Sequence, residues 1–296
     1  MPNIEVIEIS NDKVRASFLN YGATLYKFEV LENNEYINKV LTFDSLSDYI
    51  DNDMYLNSIV GPSAGRIANG EYIHNGKVIL SKNDGDNHLH GGLDSYARKF
   101  FSYKVMDNQV VFTLLSNNSE YPGKQEITIT YSLSGTSLSI DFEANSSCDI
   151  PMNLTSHIYF TSFGRDSVLD NYLKISSDKR LYLVDNVPTR ITKNTDYLQN
   201  QKITETDDPF ILNDTDPAVE YSSKKSCLSV STDYDSVVVY TQNEFSQLLN
   251  GKNLGICFET QKWPNGVNIP GYNSILKAGD HYKHKTVYKF YDANAK

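Results

Sequence analysis

Apolar and polar residues alternate with a period of two along much of this chain. The clearest cases are Ile127-Thr128-Ile129-Thr130-Tyr131 and Leu138-Ser139-Ile140-Asp141-Phe142, the pattern of strands with one buried face. The N-terminal part reads as strands at Ile4 to Ile9, Val14 to Leu19 and Thr24 to Val30, joined by short turns and therefore antiparallel. An Asn75-Gly76 pair between Glu71-Tyr72-Ile73 and Val78-Ile79-Leu80 is a strong hairpin signal. Further strands are expected at Phe101 to Met106, Val110 to Ser116, Gln125 to Ser132, Ser137 to Ala144, Tyr172 to Ser176 and Arg180 to Val184. The series ends with Cys227 to Ser231, Val237 to Thr241, Leu254 to Thr260 and Thr286 to Tyr291. Leu46 to Met54 has Ser45 or Ser47 as helix caps, but its Asp-Asn-Asp run suits a loop equally well. No segment holds a helical period beyond about three turns. The expectation is an all-β fold, a large antiparallel sandwich or barrel-like domain with few short helices. Without a linker or an internal repeat, residues 1–296 are read as a single domain.

Composition narrows the function classes. A formal charge of −10 opposes phosphate backbones and anionic lipid, so neither nucleic acid nor membrane is an expected partner. The three cysteines, Cys148, Cys227 and Cys257, are widely spaced without a CxxC, which argues against a disulfide framework or a zinc site and for small buried hydrophobes. The first ten residues, MPNIEVIEIS, carry no basic-then-apolar leader, and no apolar run approaches the roughly 20 residues a membrane span needs. A cytoplasmic location is expected.

Candidate chemistry gathers at Asn87-His88-Leu89-His90-Gly91-Gly92, with Gly65-Arg66 upstream. A short strand whose two imidazoles share one face would explain His88 and His90 without function. The paired glycines, the nearby Arg and a third histidine, His157, in the polar-aromatic stretch Asn153 to Phe160 favour a site. A second candidate is Gly255-Ile256-Cys257-Phe258-Glu259-Thr260-Gln261, an apolar strand that runs into Glu-Thr-Gln with the only Trp, Trp263, close by. A carboxylate base, an amide and an aromatic ring suit a sugar; an edge-strand Glu pointing into water is the competing reading. Thr206-Asp207-Asp208-Pro209-Phe210 reads as a turn, since Asp-Pro pairs initiate turns.

Together these residues resemble the aldose 1-epimerase, or galactose mutarotase, family. Asn20-Tyr21-Gly22-Ala23 resembles its "NYGA", and Gly65-Arg66-Ile67-Ala68-Asn69-Gly70 its "NRIANG" with glycine in place of the first asparagine. Asn87 to Gly92 is similar to "NxLHGG", Glu120 to Gly123 to "GYPG", Asn153 to Phe160 to "NLTNHSYFNL", and Glu259-Thr260-Gln261 to "ETQ". Asp207-Asp208-Pro209-Phe210 stands where the family has "DH" before "PF", so Asp207 carries over and Asp208 is its alternative.

The resemblance implies the galactose mutarotase sandwich and interconversion of the α and β anomers of a free aldose such as galactose or glucose. A base takes the proton of the C1 hydroxyl while an acid protonates the ring oxygen; the aldehyde rotates and recloses from its other face. The family pattern makes Glu259 the base and His157 the acid, with His90 beside the ring oxygen or C1 hydroxyl. It makes Arg66, Asp207, Asn87 and Gln261 substrate-binding residues. No metal or cofactor is implied, the partner is a monosaccharide, and the protein is a monomer or homodimer. Nearby carboxylates would raise the His157 pKa. Two rivals remain: a hexose-6-phosphate epimerase of the same superfamily, for which Arg190 and Lys262 are the available cations, and a non-catalytic carbohydrate-binding protein.

Overall fold

A computed structural model describes residues 3–194, 197 and 199–292, apart from the side chain of Arg190. The alternating segments form three main sheets, and every ladder between their strands is antiparallel. A four-stranded sheet takes the N-terminal strands Val6–Ser10, Val14–Leu19, Thr24–Glu32 and Glu35–Asn38 in chain order. A nine-stranded sheet carries the long central strands Gln125–Ser134 and Ser137–Ser146, next to the C-terminal strand His281–Asp292. A six-stranded sheet runs in the order Tyr159–Thr161, Gly255–Gln261, Ser236–Tyr240, Asp207–Ile211, Lys179–Val184, Val187–Asn194. The helical content of the described residues is short 3₁₀ turns, among them Leu46–Tyr49, capped by the Ser45 side chain. That segment was the one position where sequence left helix and loop open.

The nine-stranded sheet is the shared backing. Phe18 and Phe28 of the four-stranded sheet meet Phe112, Tyr131 and Phe290 on it. Phe160 and Phe258 of the six-stranded sheet meet Tyr221, Tyr288 and Phe290. Aromatic pairs of this kind supply much of the apolar burial that holds stacked sheets together. Because side chains alternate, turning Ile256 and Phe258 into this core turns Cys257, Glu259 and Gln261 to the sheet's other face.

Two differences from the sequence reading bear on function. Asp207–Ile211 is a strand inside the six-stranded sheet, not a turn. Its proline is tolerated because the ladder to Lys179–Val184 ends at Phe210, so Pro209 pairs only with Val238. Val187–Asn194, which shows little apolar alternation, is also a strand. It is fixed as a hairpin by Asp185 and Asn186, both at positive φ (50° and 61°), the geometry a tight two-residue turn requires.

Candidate active site

Register builds the floor of the site. Pro209, Val238 and Glu259 lie opposite one another across three strands and form one row. Asp207, Tyr240, Cys257 and Tyr159 form the next row on one side. Ile211, Ser236 and Gln261 form the row on the other. Above this floor sits a cavity of about 380 Å³ including its mouth, lined by Gly65, Arg66, Leu89, His90, Leu183, Asn186, Pro188, Asp207, Pro209, Val238, Glu259, Gln261 and Pro264. Its volume suits a small ligand.

His157 is held from its backbone outwards. Its N–H donates to the Ser58 carbonyl (2.9 Å) and its carbonyl accepts from the Asn57 N–H (3.0 Å). The ring stacks on Tyr159 at 5.0 Å, stands edge-on to His90 at 5.3 Å, and has Nδ1 3.5 Å from the Cys257 sulfur. Its Nε2 lies 3.5 Å from Glu259 Oε1, with both side chains almost fully buried. Burial pushes the Glu259 carboxyl up to about 8, with Asp207 adding to the rise and Arg66 opposing it. Burial also brings the His157 imidazole down to about 4, against the expectation that carboxylates would raise it. Desolvation outweighs the neighbouring charge because the ring is enclosed by aromatic side chains. Between these two values the pair carries a single proton.

His90 leaves its short strand at a positive φ of 54°, which swings the ring into the cavity. The Gly65 N–H donates to its Nδ1 at 3.2 Å, and burial pushes its pKa well below the usual range. A neutral imidazole whose Nδ1 accepts carries its hydrogen on Nε2, so His90 offers a donor. Gly91 permits this bend: its φ is +83°, and a Cβ there would sit 2.0 Å from the Gly61 carbonyl oxygen. His88 points elsewhere. It is fully buried, with Nδ1 2.8 Å from the Ser81 carbonyl and Nε2 2.8 Å from the Tyr121 hydroxyl. The two imidazoles do not share a face, since the turn in the backbone at His90 breaks the alternation.

Arg66 lies opposite Leu89 in a two-residue ladder, its Nε 2.6 Å from Asp84 and one terminal nitrogen 3.8 Å from Asp207. Asp207 faces the cavity, whereas Asp208 turns away to Arg180 and the Thr206 hydroxyl. Burial raises the Asp207 pKa while Arg66 lowers it.

The structure thus brings Glu259, His90, Arg66, Asp207 and Gln261 to the cavity, with His157 against Glu259. It does not bring Asn87, whose side-chain oxygen accepts from the Asn69 N–H (3.2 Å) and steadies the loop behind the wall. Nor does it bring Trp263, which stacks on Tyr272 at 4.6 Å and 9° and is absent from the lining. Lys262 is also absent from the lining, its ammonium 5.7 Å from the Tyr282 ring. Arg190, the other proposed cation, has its side chain outside the described residues. The hairpin tip contributes Leu183, Asn186 and Pro188, and of these the sequence reading missed Leu183 and Asn186. Asp185-Asn186 between apolar residues was a turn signal, but nothing local said which pocket that turn would border.

Donor atoms of His90, His157 and Glu259 all lie within 4.8 Å of one another, a set that is chemically able to hold a cation. The same three groups supply an acid, a base and a neutral hydrogen-bond donor around one end of a cavity. That arrangement suits proton transfer on a small polar molecule.

The aldose 1-epimerase family model matches residues 5–289. Galactose mutarotase from Bos taurus is 30% identical, covering 97% of this chain and 94% of that protein. Aldose 1-epimerase from Haemophilus influenzae is 31% identical over 97% of this chain and 95% of its own length. Among solved structures, galactose 1-epimerase from Lactobacillus acidophilus superposes with a TM-score of 0.89 at 29% identity, covering 98% of this chain and 95% of that one. An aldose epimerase homologue from C. elegans superposes at 0.92 with 23% identity, covering 98% and 99%, a likeness of fold. The chain belongs to the aldose 1-epimerase family.

Proposed function

We propose that Glu259 and His157 interconvert the α and β anomers of a free aldose in this cavity, by opening the hemiacetal and reclosing it. The protein is an isomerase of the aldose 1-epimerase type. The observation that carries the assignment of roles is the 3.5 Å contact between two buried groups of opposite titration, set at one end of a small cavity. The reaction moves one proton from O1 to the ring oxygen as the C1–O5 bond breaks, and returns one as it reforms. A pair that holds a single proton has one base and one acid at every moment, which is what both half-reactions need. The single proton rests on the Glu259 carboxyl; in the productive form it has passed to His157 across the 3.5 Å contact, so that Glu259 acts as base toward O1 and the imidazolium as acid toward the ring oxygen. The Nε2–H of His90 donates to the oxygen that gains charge. Arg66 and Asp207 hold hydroxyls farther round the ring.

The substrate is a neutral monosaccharide. Arg66 is the only lining cation among the described residues, and it already faces Asp84 and Asp207. A phosphate would meet Glu259 and Asp207 without a free positive partner. The chain acts as one sandwich domain, as a monomer or homodimer in the cytoplasm. No helix among the described residues is long and apolar enough to cross a membrane.

Polarimetry tests this reading. Freshly dissolved α-galactose or α-glucose should reach rotational equilibrium faster with protein than in buffer, and hexose 6-phosphates should not. No acceleration on any free aldose would sink it.

A further inference from the structure

Gln261 is fully buried, lines the cavity, and its side-chain nitrogen has no hydrogen-bond partner in the protein. A buried donor without an acceptor costs free energy, so its orientation calls for a cause. The cause is a chain of fixed amides. The backbone N–H of Lys262 can only donate, and it donates to Asn153 Oδ1 at 2.8 Å. This sets Asn153 with Nδ2 outward, donating to the carbonyls of Lys262 (3.0 Å) and Ala64 (3.4 Å) and to Gln261 Oε1 (3.2 Å). With its oxygen engaged there, Gln261 has to present Nε2 away from Asn153. The flip of the amide follows from a backbone donor and is not a free choice.

We infer that Gln261 Nε2, aimed by Asn153, donates a hydrogen bond to the C2 or C3 hydroxyl of the bound aldose and so selects sugars that carry an oxygen there. The inference rests on the anomerisation reading above. Gln261 is two residues beyond Glu259 on the same strand face, so their side chains start about 6.6 Å apart. That separation, shortened as the two ends lean toward one ligand, reaches from O1 to the hydroxyl at C2 or C3 and stops short of C6. Arg66 and Asp207 lie on the opposite side of the Glu259 row, which leaves this edge of the sugar to Gln261. Asn153 is a positioning residue: it acts on the sugar only by aiming Gln261.

The experiment is mutarotation kinetics of wild type, Gln261→Met and Asn153→Asp on glucose and its 2-deoxy and 3-deoxy analogues, each rate taken relative to buffer. One deoxy sugar should lose about tenfold in kcat/KM with wild type, the equivalent of one hydrogen bond. Gln261→Met, which keeps the side-chain length, should lose the same factor on glucose, through KM, and lose nothing more on that deoxy sugar. Asn153→Asp should reproduce the pattern, because a carboxylate cannot donate to Gln261 Oε1 and the amide turns its nitrogen inward. An equal penalty for Gln261→Met on all three sugars overturns the inference. So does wild-type protein that handles both deoxy sugars as well as glucose, a result that needs no variant to fold. Wild type inactive on every aldose would overturn the anomerisation reading itself.

Discussion

The strands Gly255–Gln261 and Gln125–Ser134 have opposite characters. The second alternates buried and exposed positions along its whole length, with Ile127, Ile129 and Tyr131 inward and polar residues outward. The first is buried at all seven positions, on both faces, and three of its buried side chains are Glu259, Thr260 and Gln261. Thr260 is satisfied on the inner face by Thr286 at 2.6 Å. Glu259 and Gln261 on the outer face have polar atoms that the fold leaves for something else. One strand is optimised to stay folded; the other carries polar groups whose burial opposes folding, as expected where an acid or base must be tuned.

Substitutions sharpen this contrast. The largest effect is expected from Glu259→Gln, which keeps shape and removes the titrating group. Mutarotation should fall by on the order of 10²-fold or more, with the melting temperature held or raised; near-wild-type turnover in the folded variant would break the assignment. On the other strand, Ile129→Ala opens a cavity in a fully buried position facing Phe142 and Phe112. Denaturant titration should show a loss of about 2–5 kcal/mol, while kcat per folded molecule stays unchanged. A drop in kcat as large as the stability loss would mean that the two strands do not divide their roles.

A smaller effect concerns pH. With Glu259 at about 8 and His157 at about 4, the single-proton pair persists between these values. Above about 8 the pair has lost its acid, and below about 4 it has lost its base, so kcat/KM should trace a bell with limbs there. The alkaline limb belongs chiefly to the carboxyl, not to the imidazole. A profile that falls on the alkaline side near the ordinary histidine range would show that burial does not dominate.

The sheets were legible because their strands follow the simplest pattern there is: Ile127 to Tyr131 and Leu138 to Phe142 show period two with no interruption. Hairpins with Asn-Gly, such as Asn75-Gly76, were legible for the same local reason. Asp207–Ile211 was not, because its strand character comes from two neighbours distant in sequence, and its Asp-Pro pair locally favours a turn. In the site, Arg66, His90, His157 and Glu259 were legible as residue types set in unusual company. Their pKa order was not, because it depends on how completely the aromatic rings enclose them, a property of packing. Trp263 shows the reverse error: a plausible sugar platform by composition, it is taken up by Tyr272.

Gly65 has a φ of +73°, and a Cβ placed on it would lie 2.5 Å from the Pro264 side chain. One wall of the cavity is therefore a joint between two positions far apart in the chain, closed by a ring that occupies the volume a side chain at 65 would need. An asparagine at 65, the residue with a side chain best able to accept that backbone, could not leave the proline ring where it is. The joint is one-way: filling position 65 alone meets a steric barrier that trimming the ring at 264 would relieve, whereas trimming the ring alone only widens the wall.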